Sequence, residues 1–533
     1  MKALHCKNIY TGCSPALTAG YVLIEGNRIR GVAAEGEWKK ETAAEVFECG
    51  DGFLMPAFND YHVHMAMAAM MEYFGAIRTC GSEEEAAAFL YEKNKDKAPE
   101  RWILGGAWDH FVWPGQKLPG RASLDKYFPH TPVFSLNKEC HGAWLNSAAL
   151  KRFNITKDTP DPPNGQYFRD QHGEPTGYVH ELAVAPMLRQ IFSQISDGEI
   201  AEFIRAFAGM ANRLGITSVG DLPLHGILRE GAYRILQRDG GLNLRVNFSV
   251  GMMENNEKIA AMAREFQGPL INFNGVKDFL DGTPMGYTGF MAAPYSDRPG
   301  FCSEPIIPQA ALLARVAELD AANVRIRLHC CGDGAVRLAL DAFENAGKRN
   351  GFRDMRHAVE HIEVITPEDI SRFGKLGIVA SVQPEHSPRT HYAIHPFHHL
   401  IGEERMKYMW AFKSIQQAGA AMAFGTDYPV VELTPFKGLF RAVNRLTNEL
   451  EPAGGFNPRE KLSLDEALRN YTMGSAFACG QEKALGTIEK GKLADLVLLG
   501  RNPFEVIADR DAMFQMPVRM TMMDGNVVYE GRA

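Results

Sequence analysis

The sequence predicts an α/β protein built on a (β/α)8 barrel. Three observations lead there: eight short apolar runs, longer helix-period stretches between them, and chemistry-bearing residues at the ends of the runs. The runs cover residues 53–58, 217–221, 245–250, 275–280, 324–329, 357–361, 378–383 and 422–427. The clearest intervening helices are 308–323, 335–346, 367–376 and 404–418, with Thr366 before Pro367 resembling an N-cap followed by proline at the first helical position.

Taken in order, the chain opens with β segments 21–24 and 28–32 around Glu25-Gly26-Asn27, a turn that tolerates positive φ. Segments 495–499, 520–523 and 527–529, the last two joined by Asp524-Gly525-Asn526, repeat this style at the far end. Residues 1–52 and 483–533 are therefore expected to share a small β domain beside a barrel spanning 53–482. From Phe58 to Thr217 the chain spends about 160 residues, where one βα unit of a typical barrel takes about 31. An inserted subdomain or lid at 85–200 is the expectation. Its middle holds Asp161-Pro162-Pro163-Asn164-Gly165 and Glu174-Pro175-Thr176-Gly177, turn chemistry suited to a small sheet.

Composition narrows the function. The net charge of −7 disfavours a nucleic-acid partner, and no apolar stretch approaches the length of a membrane span. Nine cysteines without a CxxC pair suit a reducing compartment, so a cytoplasmic protein is expected. There is no G-x-S-x-G elbow, Walker A run or G-x-G-x-x-G after a strand.

His62-Val63-His64 follows the first run, and residues two apart on a strand point the same way, so both imidazoles can reach one centre. Lys277, His329, His361 and Asp427 stand at later strand ends. His329 and His361 are 32 residues apart, one βα unit, and His361 and Asp427 are 66 apart, close to two. A barrel opens the carboxyl ends of all its strands on one face, so these residues converge there. Cys330 adjoins His329 but should face away from it, which favours packing over nucleophilic chemistry.

Several longer segments carry a resemblance. They are Leu54-Met55-Pro56-Ala57-Phe58-Asn59-Asp60-Tyr61-His62-Val63-His64, Gly275-Val276-Lys277, Leu328-His329 with Gly332-Asp333-Gly334-Ala335, Glu360-His361, Gly425-Thr426-Asp427-Tyr428-Pro429, and Gly486-Thr487-Ile488-Glu489-Lys490-Gly491. Together they resemble the amidohydrolase superfamily, in its family 3 branch of metal-dependent hydrolases similar to N-substituted formamide deformylase. Ala57 and Cys140 stand where that family usually has glycine. The resemblance implies a distorted TIM barrel, a β-sandwich made from both termini, and one or two divalent metals, zinc first. His62 and His64 would hold the buried metal, His329 and His361 the exposed one, and Asp427 would be both ligand and catalytic proton carrier. Lys277 would be carboxylated by CO2 to a bridging carbamate; the alternative is an unmodified lysine paired with Asp281 at a mononuclear site.

Such ligands leave room for water, whose pKa falls to about 7 on zinc, giving a nucleophile for a polarised carbonyl. Hydrolysis of a C–N bond in a small amide, formamide or cyclic amide is the expected reaction. His141 and His386 are candidates for the carbonyl-oxygen site, and Trp108 for substrate binding. Met65, Met67, Met70, Met71, Tyr73, Phe74, Trp113 and Trp144 supply either an apolar pocket or core. Two alternatives stay open: a lactone or ester hydrolase on the same site, and a catalytically silent regulatory or binding protein. A homodimer is compatible with a barrel hydrolase, although no segment marks an interface.

Overall fold

The computed structural model describes residues 1–38, 43–96, 101–138, 140–163, 165–181, 183–223 and 229–531. Asn164 of the anticipated turn lies outside the described residues. Eight parallel strands form the central sheet: β1 (Phe58–Val63), β2 (Ile216–Asp221), β3 (Arg245–Gly251), β4 (Ile271–Phe279), β5 (Ile326–Cys330), β6 (Ala358–His361), β7 (Val379–Val382) and β8 (Met422–Phe424). Each strand pairs with the next from β1 round to β8. The seam between β8 and β1 closes just past the strand ends, where Asp427 N–H donates to His62 O at 2.7 Å and His64 N–H donates to Tyr428 O at 2.8 Å. This approach requires Gly425, because a Cβ there would lie 2.5 Å from the His62 nitrogen.

The first barrel strand is one element later than the sequence reading placed it. Phe53 and Leu54 belong to strand Glu45–Pro56, where they pair with Leu499 and Leu498 of the C-terminal segment. Ala57 N–H then donates to Asp495 O, and the next amide, Phe58, donates to Gly215 O as the barrel ladder begins. An unbroken apolar run hides this change of sheet, since only the partner strands distinguish the two halves.

Both termini do share one seven-stranded sheet, with strands Leu496–Leu499, Val518–Met523 and Asn526–Glu530 beside Glu45–Pro56, Lys2–Tyr10, Leu17–Glu25 and Arg28–Ala34. Its core gathers Leu4, Val22, Ile24, Leu54, Leu496 and Met522. Buried Arg245, at the start of β3, bridges to Asp495 at 3.1 Å and Asp524 at 2.7 Å, fastening sheet to barrel.

Between β1 and β2 lies a five-stranded sheet in the spatial order Gly106–Trp108, Phe134–Asn137, Gly142–Leu145, Pro175–Glu181, Gly165–Arg169. Trp108, Trp113 and Trp144 interlock in its core at ring separations of 5.6–6.4 Å. Met65, Met67, Met70 and Met71 lie buried on helix Met65–Phe74. Met71 packs so tightly on this sheet that a Cβ at Gly106 would clash with it. The aromatic and methionine run is therefore core, not an open pocket; Tyr73 alone of the run is exposed.

Helices Gln309–Ala321, Asp333–Asn350 and Pro367–Leu376 form as anticipated. The expected helix 404–418 is instead two short ones, Glu403–Met406 and Phe412–Gln417. Arg445 takes the carbonyls of Met409 and Trp410, Asn457 takes those of Met406 and Met409, and Trp410 sits at φ 47, so the helical ladder cannot run through. Among the described residues no helix is long and apolar enough to cross a membrane.

Candidate metal centre

His62 ends β1 facing the barrel interior, and its environment is built for one tautomer. Its Nδ1 lies 2.6 Å from Glu360 Oε2, and Arg327 Nε donates to Glu360 Oε1 at 2.6 Å. Ser381 Oγ also donates to Glu360. Thus β1, β5, β6 and β7 meet in one fully buried group. The Glu360 carboxylate accepts a hydrogen bond from Nδ1–H, which leaves Nε2 to face the cluster. His64, which caps the following helix, has Nδ1 3.1 Å from Leu222 O. Asp60 accepts from the His62 and Thr426 amides and from Thr426 Oγ1 at 2.6 Å, tying both ligand-bearing ends of the seam.

Asp427 brings the first cluster together. Its Oδ1 lies 3.3 Å from His62 Nε2 and 3.0 Å from His64 Nε2, yet Oδ1 and the His62 Nε2 lack hydrogen-bond geometry. A second cluster holds His329 and His361, with ring centroids 4.2 Å apart, and Cys331, whose Sγ is 3.4 Å from His329 Nε2. His386 lies parallel to His361 at 5.8 Å and reaches within 3.5 Å of Asp427 Oδ2. His361 at φ 71 and Asp427 at φ 63 occupy the left-handed region, backbone strain that the surrounding fold must hold in place.

Electrostatics leaves these groups ready to bind a cation. Burial pushes His329 down to about 3 and His386 to about 4, with His361 also well below its ordinary value, so all three are neutral at pH 7 with lone pairs available. Burial would raise Asp427, but His62 and His64 outweigh it and hold the carboxyl ionised. Burial opposes ionisation of Glu360 too, and there Arg327 and His62 prevail. Lys277 Nζ is buried with no hydrogen-bond partner, and burial depresses its pKa. Asp281 does not pair with it; its carboxylate accepts from the amides of Cys331, Gly332 and Phe290.

The residues fit a divalent metal. His62 Nε2, His329 Nδ1, His361 Nδ1, His386 Nε2 and Asp427 Oδ1 are all buried without hydrogen-bond partners. A buried polar atom without a partner is costly, and five in one place indicate a missing common partner. The structure thus assembles His62, His64, Lys277, His329, His361, Asp427 and His386 at one barrel mouth. His141 is exposed with Nδ1 3.2 Å from Glu181. Trp108 donates to Ser135 O and lines a cavity of about 260 Å³ whose wall contains none of the histidine cluster.

A family model described as amidohydrolase family matches residues 45–529. The chain belongs to the amidohydrolase family. Over 532 residues, 96% of this chain and 94% of the relative, it is 26% identical to N-substituted formamide deformylase of Arthrobacter pascens. Over 389 residues, 69% of this chain and 81% of the relative, it is 26% identical to the exoenzymes regulatory protein AepA of Pectobacterium carotovorum subsp. carotovorum. It is similar, at TM-score 0.74 and 26% identity, to the crystal structure of an uncharacterized metal-dependent hydrolase from Pyrococcus furiosus, covering 94% of this chain and 99% of that one. Family and ligand clusters together make this amidohydrolase a metal-dependent hydrolase.

Sequence reasoning gave no role to Glu360, Arg327 or Asp60, and read the pair Cys330-Cys331 as packing. Asp60 and Cys331 carry the signal already used for His62 and His64, since each stands two residues from a ligand. Glu360 does not, because alternation puts it opposite His361; the positive φ of His361 breaks that alternation. Cys140, one of the two departures from the family's glycines, sits at φ 60, a conformation glycine adopts without strain.

Proposed function

We propose that this amidohydrolase cleaves the C–N bond of a small amide, formamide or cyclic amide. The observation that carries the reading is the set of buried, unpartnered ligand atoms around an ionised Asp427. His62, His64 and Asp427 would hold one divalent metal and His329 and His361 a second, zinc suiting the imidazoles; when bound, such an ion supplies Lewis acidity and brings the pKa of water to about 7. Asp427 takes the proton of the attacking water and hands it to the leaving nitrogen. His386, neutral and 3.5 Å from Asp427, orients the substrate carbonyl. Carboxylation of Lys277 would replace a stranded ammonium with an anion between the two clusters. The resemblance to a protein named for deformylating N-substituted formamides puts N-formyl amines first among substrates. Nine cysteines without a CxxC pair support a reducing, cytoplasmic setting.

The test begins with elemental analysis of protein purified without added metal, plus native mass. Two equivalents of zinc and the added mass of CO2 on Lys277 are expected. N-formyl amines, acyl amides and cyclic amides are then assayed beside formate esters and lactones. Amide turnover that His62→Asn abolishes is the expected result. Faster turnover of the esters or lactones would move the reading to a lactonase, and metal-free protein that binds ligand without turnover would make it a binding protein.

A further inference from the structure

We propose that Cys331 is a metal ligand, binding through its thiolate beside His329 and His361, an inference that rests on the hydrolase reading above. Cys331 stands two residues beyond His329 and so faces the same side of the extended chain. Its backbone is fixed: the amide donates to Asp281 Oδ1 at 3.0 Å, the next amide, Gly332, donates to Asp281 Oδ2 at 2.8 Å, and its carbonyl accepts from Val364. This places Sγ 3.4 Å from His329 Nε2, and one donor atom from each of Cys331, His329 and His361 lies within 4.8 Å of the others. A thiolate and an imidazole at neighbouring corners of a tetrahedral zinc site are about 3.6 Å apart, given metal–ligand lengths of roughly 2.3 and 2.1 Å. Independently, His361 Nδ1 is buried without a partner.

The thiolate changes the character of this half of the centre. With His329 and His361 alone it offers two neutral donors, and an unmodified Lys277 adds a repelling cation. Cys331 supplies a third protein donor and a negative charge whatever the state of Lys277, which completes the three-ligand set of an open catalytic site. On binding, the S–H bond breaks, its proton goes to solvent and sulfur donates a lone pair to the ion; no electron is transferred. A soft sulfur donor favours zinc, cobalt or cadmium over magnesium and manganese. Cys330 is the built-in control, since its Sγ turns to Leu328 O at 3.5 Å.

The experiment is cobalt(II) titration of the metal-free full chain, followed by absorption spectroscopy and metal analysis, with Cys331→Ser, Cys331→Ala and Cys330→Ser alongside. A near-ultraviolet sulfur-to-cobalt charge-transfer band growing with one equivalent of metal is expected, absent in both Cys331 variants and kept in Cys330→Ser. Affinity for that equivalent should fall in the Cys331 variants by at least the roughly 10- to 100-fold that losing a supporting residue costs. Cobalt binding with visible ligand-field bands but no charge-transfer band in the parent protein would overturn the thiolate and leave the hydrolase reading intact. A band that survives in Cys331→Ser would overturn it equally. Failure to bind cobalt at all would remove both.

Discussion

The two halves of the centre are held in different ways. Around His62, His64 and Asp427 the second nitrogen of each imidazole has a protein acceptor, Glu360 or Leu222 O, and Asp60 straps the two strand ends. Around His329 and His361 the support is thinner: His329 Nε2 has Gly282 O at 3.3 Å, His361 Nδ1 is buried without a partner, and position comes from the backbone, from Asp281 on the following amides and from the left-handed turn at His361. A buried side-chain network around Glu360 braces the first half, while the second rests on main-chain geometry. Supporting hydrogen bonds fix ligand orientation and raise basicity, so the first half should retain its metal longer than the second.

The comparison can be broken at several points. The largest effect belongs to Asp427→Asn, which touches both clusters: kcat/KM should fall about 10²–10⁴-fold, as for loss of a proton carrier, with the fold intact by circular dichroism. Next is Arg327→Met, which strands buried Glu360 and should cost about 3–5 kcal/mol in denaturant unfolding; Arg327→Met with Glu360→Gln should recover part of it. Graded chelation should remove metal in two phases, the His329 and His361 equivalent first, with affinities about 10- to 100-fold apart. Equal affinities would erase the distinction between the halves.

The smallest effect tests whether the second half depends on the far ends of its strands. There Asp320 accepts from His357 at 3.1 Å and from Arg353 and Asn350, and His357 caps the start of β5 by accepting from Ile326 N–H. Hydrogen bonding from His357 holds Asp320 down at about 2, while burial keeps His357 itself below its ordinary value, so the contact is a neutral imidazole N–H donated to a carboxylate. A depressed carboxyl stabilises above its unfolded pKa and loses that contribution as pH falls through the folded one. Between about pH 4 and 2 the parent should lose about 1–2 kcal/mol that Asp320→Asn does not lose.

Much of this was legible in the sequence for identifiable reasons. Strand and helix periods survive in any buried βα unit, so β2 to β7 were found within a few residues. The clustering of His62, His64, His329, His361 and Asp427 was legible because an HxH pair and residues one or two βα units apart at strand ends converge on one face of a barrel. What escaped depends on partners remote in the chain. Glu360 acquires its role from His62, nearly three hundred residues away. Phe53 and Leu54 read as barrel until Leu498 and Leu499 claim them. The methionines after His64 have the composition of a pocket, and only the inserted sheet packed over them makes them core.

The seam between His62 and Asp427 joins the first and last strands of the barrel, through the same residues that are proposed to hold the metal. Such a contact has the longest loop to close of any in the barrel, and contacts of that kind form late in folding because their entropy is spent before they return anything. An ion bound there would be a clasp as well as a reagent. Hydrogen exchange at the Asp427 and His64 amides should slow on metal loading more than elsewhere in the barrel, and a nascent chain short of residue 427 has no clasp to fasten.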